Sequence, residues 1–184
     1  MNRGAAVALG GIAAAEGALA WGRHRRRARV YADAVERANE IERPLVVIAD
    51  PDSGLHTRLA RAYGCGAVCV DLNGCPACPV QIQADITTTI PMLEPDSSVV
   101  FMSCVLEYVV DPRAAAREIL RIAGSVDNIF PVYVDPWSLT AILYPGAHQR
   151  MTTTGWRTVG GVQKTLIAAG LASVAAFALF GGRR

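Results

Sequence analysis

Leu45-Val46-Val47-Ile48-Ala49 is a continuous apolar run of strand length, and the turn residues Asp50-Pro51-Asp52-Ser53-Gly54 follow it directly. An apolar run without polar alternation predicts a strand that is buried on both faces. Next come a helical stretch at 55–63 and a short apolar run at 67–72, in which a second strand ends on the acid Asp71. Strand, turn, helix and strand in this order predict two parallel strands joined by a helical crossover.

The same alternation of strand and helix continues along the chain. Apolar runs at 98–103 and 128–134 predict two more strands, and between them Pro112 begins a helix that Gly124 ends. Upstream, apolar residues at helical spacing predict a connecting helix over 24–43. Buried strands that alternate with helices indicate the α/β class, with a mostly parallel sheet covered on both faces. Such sheets bind ligands beyond the carboxyl ends of their strands.

Both ends of the chain are apolar. Residues 4–22 form a run broken only by Glu16, and residues 165–182 form a run without any charge. At the rise of a helix these runs reach about 28 Å and about 27 Å, close to the hydrocarbon thickness of a bilayer. We therefore expect a transmembrane helix at each end, which divides the chain into segments 1–29, 30–156 and 157–184.

Two other interpretations of the first segment stay open. Ala18-Leu19-Ala20 fits the cleavage site of a secretory signal, and the run also fits an Ala-rich helix buried in a soluble fold. A signal peptide normally carries its positive charge before the apolar run, whereas here one Arg precedes it and five follow it within residues 23–29. By the positive-inside rule, this cluster predicts a membrane localisation with the middle domain on the cytoplasmic side, or on the interior side of a membrane-containing particle.

The charges of the ends and of the middle have opposite signs. Residues 1–29 and 157–184 hold ten basic residues and one acid, whereas residues 30–156 hold eight basic residues and fifteen acids. Duplex affinity comes largely from Lys and Arg side chains that neutralise phosphates, so an acidic middle domain argues against a nucleic-acid partner. The expected partners are a lipid bilayer and other subunits of a membrane complex.

The most specific motif lies at 105–122. It reads Val105-Leu106-Glu107-Tyr108-Val109-Val110-Asp111-Pro112, followed by Ala115, Ala116, Glu118, Ile119, Arg121 and Ile122. This string resembles the VLEHV.DP..AL.EI.RV signature of the class I S-adenosylmethionine-dependent methyltransferases, in particular their small-domain group. The resemblance covers about residues 44–150. It implies a Rossmann-like fold, truncated here because little chain follows residue 134 before the second apolar end.

The resemblance also implies a cofactor site. In S-adenosylmethionine binding, Asp71 would hold the ribose hydroxyls, Asp85 the adenine edge, and the amides of Ser53 and Gly54 the methionine end.

The turn after the first strand departs from the family's glycine-rich pattern. Asp50 and Asp52 stand where the family has glycines, and Pro51 removes an amide donor. Two added carboxylates would repel the carboxylate of the cofactor at a cost of about 1 kcal/mol or more each. The sequence therefore predicts weak cofactor binding or none.

These observations together predict a membrane-anchored, non-catalytic, methyltransferase-like protein. Its expected role is that of a structural or assembly component in a membrane complex or a membrane-containing particle, with no catalytic residue, cofactor or metal. The alternative is an active S-adenosylmethionine-dependent methyltransferase at a membrane surface, with Ser53, Gly54, Asp71 and Asp85 at the cofactor.

The cysteines offer a third interpretation. Cys65, Cys69, Cys75 and Cys78 lie close together, and the last two have the C-x-x-C spacing of thiol redox and zinc sites. A zinc ribbon needs two C-x-x-C motifs, and the sequence has only one at that spacing. Cys69 belongs to a predicted strand, so its side chain should face the core. We therefore expect free thiols or one local disulfide, with a metal or redox module as the alternative.

Overall fold

The computed structural model describes residues 3–53, 60–134, 149–152 and 155–158. The helices within these ranges are α1 (Arg3–Glu40) and α2 (Pro112–Ala123), and a 3-10 turn spans Val126–Asn128. The strands are β1 (Leu45–Ile48), β2 (Val68–Asp71), β3 (Gln81–Gln83), β4 (Val99–Ser103), β5 (Ile129–Val132), β6 (Gln149–Thr152) and β7 (Gly155–Thr158). The helix predicted over 55–63 falls mostly outside the described residues.

Five strands form one parallel sheet in the order β3-β2-β1-β4-β5. The α/β class and the parallel sheet predicted from the sequence are confirmed. From β1 the chain adds strands first toward one edge and then, starting with β4, toward the other, so the topological switch point lies between β1 and β4. This order is compatible with a Rossmann-like fold. Strands β6 and β7 pair antiparallel in a separate hairpin.

The two helices cover opposite faces of the sheet. Ala34 of α1 belongs to the same buried cluster as Phe101, whereas Ile119 of α2 belongs to the cluster of Met102. Phe101 and Met102 are neighbours in β4, and neighbouring residues of a strand point to opposite faces. All five residues of β4 are buried, as expected for a strand between two helical layers.

Helix α2 begins and ends at the residues that the sequence predicts. The Asp111 carboxylate accepts hydrogen bonds from the amides of Arg113 and Ala114, and Pro112 occupies the first turn, where its missing amide costs nothing. Gly124 ends the helix in the left-handed conformation. Asp111-Pro112 of the methyltransferase-like string is thus a helix cap in this chain.

Helix α1 is far longer than predicted and runs antiparallel to the strands. Arg37 Nε donates to Asn128 Oδ1 (3.1 Å), just before β5 begins, whereas Arg27 Nη2 donates to Cys104 Sγ (3.4 Å), just after β4 ends. The amino-terminal part of α1 therefore continues past the carboxyl edge of the sheet. In the described structure, no neighbouring atom lies within 4 Å of where a Cβ would stand at Gly10, Gly11, Gly17 or Gly22.

Residues 4–22, where the sequence predicts the first transmembrane segment, belong to α1. Among the described residues, no helix combines the length and the apolarity that a membrane span requires. The second predicted segment, 165–182, lies outside the described residues.

Four of the five cysteines form two nested disulfides, Cys65–Cys78 and Cys69–Cys75. The prediction of free thiols or one local pair is therefore wrong. Cys69 does face the core, as expected, but the turn after β2 brings Cys75 back onto it, and both are fully buried. Cys104 is the free cysteine. In the described part of the chain, no group of three or more His, Cys, Asp and Glu residues is arranged to hold a metal ion.

Candidate functional site

A cavity of about 450 Å³ lies at the carboxyl edge of the sheet. Its wall includes residues at the ends of β1, β2 and β4, the segment after β3, and one face of α1. The volume falls within the range of small-molecule sites, and the place is the switch point at which open α/β sheets bind ligands. Its polar lining includes Arg27, Tyr63, Asp71, Asp85, Ser103 and Cys104.

Asp71 ends β2 and lines this cavity, partly buried. Its Oδ2 accepts the amide of Asp50 (3.2 Å), and its Oδ1 accepts the amide of Asn73 (2.8 Å). These bonds fix the direction of the carboxylate but use only part of its capacity, since two carboxylate oxygens offer about four lone pairs. Asp71 can therefore still accept hydrogen bonds from the hydroxyls of a ligand.

Asp85 follows β3 and lines the same cavity. Its Oδ1 accepts the amide of Thr87 (2.9 Å) and the Thr87 hydroxyl (2.7 Å). The bond from the Thr87 amide, and then that from its hydroxyl, lower the pKa of Asp85, so this carboxylate is ionised and purely an acceptor at neutral pH. An amino group on a ligand suits such an acceptor. The structure thus brings both predicted acids to one cavity.

The negative charge of the turn after β1 is partly balanced, which the sequence does not predict. Asp52 forms a two-point ion pair with Arg61, at 3.0 Å from Nε and 2.6 Å from Nη2, and Asp50 Oδ1 accepts the amide of Asp52 (3.0 Å). Neither of these two acids is among the described residues that line the cavity. The predicted repulsion of an anionic ligand is therefore reduced, because Arg61 balances one of the two charges. Ser53 does line the cavity, whereas Gly54 lies outside the described residues.

The backbone is strained where the two central strands end at the cavity. Ala49, directly after β1, has a φ of 92°, and Cys104, directly after β4, has a φ of 56°. A side chain in this region costs about 1–3 kcal/mol, and such residues cluster at ligand sites. Both line the cavity. The sequence contains no signal for this strain, because neither position is a glycine.

Two arginines and a tyrosine are among the cavity residues that the sequence does not indicate. Arg23 and Arg27 of α1 line the cavity, although the sequence predicts the Arg cluster at the flank of a membrane segment. Their spacing of four residues places both on one face of the helix, which is the signal that was available. Tyr63 also lines the cavity, and its hydroxyl donates to the carbonyl of Asp50 (3.2 Å). Burial raises the pKa of Tyr63 to about 12, so the phenol is protonated at neutral pH.

Two acids of the methyltransferase-like string hold backbone amides of other segments. Glu107 is buried, and its Oε1 accepts the amide of Val134 beyond β5 (2.6 Å). Glu118 of α2 accepts the amide of Ile90 (2.8 Å) and forms an ion pair with Arg121 (2.7 Å). These two acids therefore stabilise the fold, whereas the cavity is lined by other residues of the same string, namely Val105, Tyr108, Val109 and Val110.

The described residues define an α/β protein with a ligand-sized cavity at the switch point of a parallel sheet. No protein-family model, curated protein or solved structure matches the chain. The methyltransferase resemblance stays a prediction that rests on the quoted residues.

Proposed function

We propose that the cavity binds an adenosine-containing ligand of the S-adenosylmethionine type. The observation that carries this proposal is the placement of Asp71 and Asp85 in one cavity, at the carboxyl edge of a parallel sheet. Asp71 would accept the two ribose hydroxyls, and Asp85 would accept the exocyclic amine of adenine. The pairing of Asp52 with Arg61 supports the proposal further, since it lowers the electrostatic cost that the sequence alone predicts.

The cavity suits such a ligand in its chemistry as well as its size. When bound, S-adenosylmethionine supplies an activated methyl group, and transfer of that group depends chiefly on holding donor and acceptor in line. The contribution of this chain would be to bind and orient. Ser53 at the turn and the strained backbone at Ala49 and Cys104 line the volume beside the two acids.

Isothermal titration calorimetry of the full-length chain with S-adenosylmethionine tests this proposal. We expect binding to the wild type and an affinity at least about tenfold lower for Asp71→Asn, because hydrogen bonds to a charged group are worth about 1.5–3 kcal/mol and a tenfold change in affinity needs about 1.4 kcal/mol. Asp127→Asn is the matched control, since Asp127 is an exposed carboxylate before β5, at the opposite edge of the sheet. Absence of binding to the wild type would overturn the proposal.

A second candidate function is attachment to a membrane in a structural or assembly role, with the bilayer and other subunits as partners. The amino-terminal part of α1 favours membrane attachment. This apolar part continues past the sheet, and no neighbouring atom lies within 4 Å of a Cβ placed on its glycines. Since α1 passes the cavity on its way out, attachment through residues 10–22 would turn the cavity toward the lipid. The exposed side chains Leu72, Tyr108 and Val110 lie at that same cavity.

Flotation with vesicles of phosphatidylcholine and phosphatidylglycerol tests this second function. We expect the full-length chain to float with the vesicles and Leu19→Glu to float less, because a charge in a lipid-embedded helix costs about 2.5–3.5 kcal/mol. Ala32→Glu adds the same charge at an exposed position of α1 beside the sheet and should float like the wild type. A wild-type chain that stays at the bottom of the gradient, or a Leu19→Glu variant that floats unchanged, would exclude attachment through this segment.

A further inference from the structure

Arg27 places an incompletely bonded guanidinium in the wall of the cavity. Its Nε is buried, and among the described residues this atom has no hydrogen-bond partner. Its Nη2 donates to Cys104 Sγ (3.4 Å), and a thiol sulfur is a weak acceptor. A guanidinium has five N–H donors in a planar fork, so most of the hydrogen-bonding capacity of Arg27 is available to a ligand.

Arg23 lies one helical turn before Arg27 and lines the same cavity. Neither arginine forms an ion pair with a described residue, whereas Arg37, Arg43, Arg61 and Arg121 each do. Two neighbouring cations without a carboxylate partner in this part of the chain are unfavourable in a partly buried wall. An anionic group of a ligand would remove that cost.

The other ionisable groups of the cavity do not balance these charges. The carboxylate of Asp71 is held by backbone amides, and that of Asp85 is held by Thr87. Tyr63 lines the same cavity, and burial keeps its phenol neutral by raising its pKa to about 12. The cavity therefore has an acceptor side and a separate cationic side.

These two sides lie at different places along the sheet. Asp71 ends β2 and Asp85 follows β3. Arg27 instead contacts Cys104, after β4, and β1 lies between β2 and β4. A ligand that fits must carry donors such as hydroxyls and an amine at one end and an anion at the other. An adenosyl amino acid has this distribution, with ribose and adenine at one end and a carboxylate at the other.

We propose that Arg27, assisted by Arg23, is the subsite for the carboxylate of the ligand's amino-acid tail. This assignment rests on the proposed binding of an adenosyl ligand and deepens it. The guanidinium matches a carboxylate by two parallel hydrogen bonds, a geometry that gives specificity as well as affinity. Helix α1 thereby supplies an anion-binding group that the glycine-poor turn after β1 does not.

Two probes that differ only in the carboxylate test the subsite. Calorimetry of the full-length chain compares S-adenosylhomocysteine with its decarboxylated analogue, which keeps the adenosine, the thioether and the ammonium group. We expect the wild type to prefer S-adenosylhomocysteine by at least about tenfold, as is typical for a charge-assisted pair. Arg27→Gln should abolish this preference while its affinity for the decarboxylated probe stays the same. Arg29→Gln, an exposed arginine one half-turn away, should behave like the wild type.

Each other outcome contradicts the assignment in a distinguishable way. If the wild type binds both probes equally, the carboxylate subsite is wrong, and the proposed function stands. If neither probe binds, the proposed function fails and the subsite fails with it. If Arg27→Gln weakens both probes equally, Arg27 supports the fold of the cavity and does not read the carboxylate. Arg27→Lys is a control for misfolding, because it keeps the positive charge. It should retain only part of the preference for the carboxylate, since a lysine cannot make the two-point contact.

Discussion

Gly66→Ala is expected to lower the free energy of unfolding by about 2–5 kcal/mol. Gly66 precedes β2 with a φ of 61°, in the left-handed region that side chains rarely adopt. A Cβ at this position would lie 2.5 Å from the carbonyl oxygen of Leu45 and 2.9 Å from Val47 Cγ2. The Leu45 carbonyl also accepts the amide of Ala67 (2.8 Å), so the added methyl group would push β2 away from β1. Urea denaturation measures the change.

Substitutions of two other glycines distinguish the cost of backbone strain from the cost of a steric clash. Gly74 has a φ of 80°, but a Cβ there meets only the end of the flexible Gln81 side chain, at 3.1 Å. Gly74→Ala should therefore cost only the strain, about 1–3 kcal/mol. Gly22 lies in α1 with open space around it, and Gly22→Ala should stabilise by up to about 1 kcal/mol. A Gly66→Ala variant no less stable than Gly74→Ala would contradict the close approach of β2 to β1.

Glu118→Ala is expected to destabilise the chain by about 3–5 kcal/mol. The substitution breaks a buried ion pair and leaves Arg121 and the Ile90 amide without this acceptor. The Glu118 side chain is 6% exposed, and it holds both Arg121 and the amide of Ile90. Arg121 in turn donates to the carbonyls of Ile90 (3.3 Å) and Leu93 (2.7 Å). The pair thus attaches the segment before β4 to α2. Glu36→Ala removes an exposed glutamate of α1 and should change stability by less than about 0.5 kcal/mol.

The contribution of Glu118 also depends on pH with a defined sign. Burial raises the pKa of Glu118, but the Arg121 guanidinium and the Ile90 amide together outweigh burial and hold it below its ordinary value of 4.5. A lowered pKa in the folded state stabilises above the unfolded pKa, and the gain is lost as the pH falls through the folded pKa. The difference in unfolding free energy between the wild type and Glu118→Gln should therefore shrink as the pH is lowered below 4.5. A constant difference would contradict an ionised Glu118.

The sequence predicts most of the parallel sheet because its central strands are apolar throughout. β1, β2, β4 and β5 were all expected, and the caps of α2 are chemical signals that do not depend on the rest of the fold. Strand β3 is not predicted, because it has only three residues and one buried side chain, Ile82. A segment this short does not show the alternation of apolar and polar residues that indicates a strand. The continuity of α1 is not evident from the sequence, because the apolar run at 4–22 and the amphipathic run at 24–43 predict two separate segments.

The candidate site could be predicted in part. Asp71 ends a predicted strand, and the carboxyl ends of parallel strands meet at one edge of the sheet. Asp85 follows β3, which the sequence does not predict, so only the methyltransferase resemblance indicates it. Arg23 and Arg27 are not predicted, because their place depends on how α1 packs across the sheet, and periodicity does not report packing between distant elements. The disulfides were missed for a similar reason, since four cysteines allow three pairings that spacing alone does not distinguish.

Two nested disulfides determine how the protein has to be made, since they join Cys65 and Cys69 to the loop between β2 and β3. Each bond forms only when an oxidant removes two electrons from a pair of thiols, and a glutathione-rich cytosol opposes that step. Material harvested from such a cytosol would lack the bond that joins Cys65, before β2, to Cys78, before β3. Expression into a bacterial periplasm, or refolding in a glutathione redox buffer, therefore belongs at the start of any ligand titration.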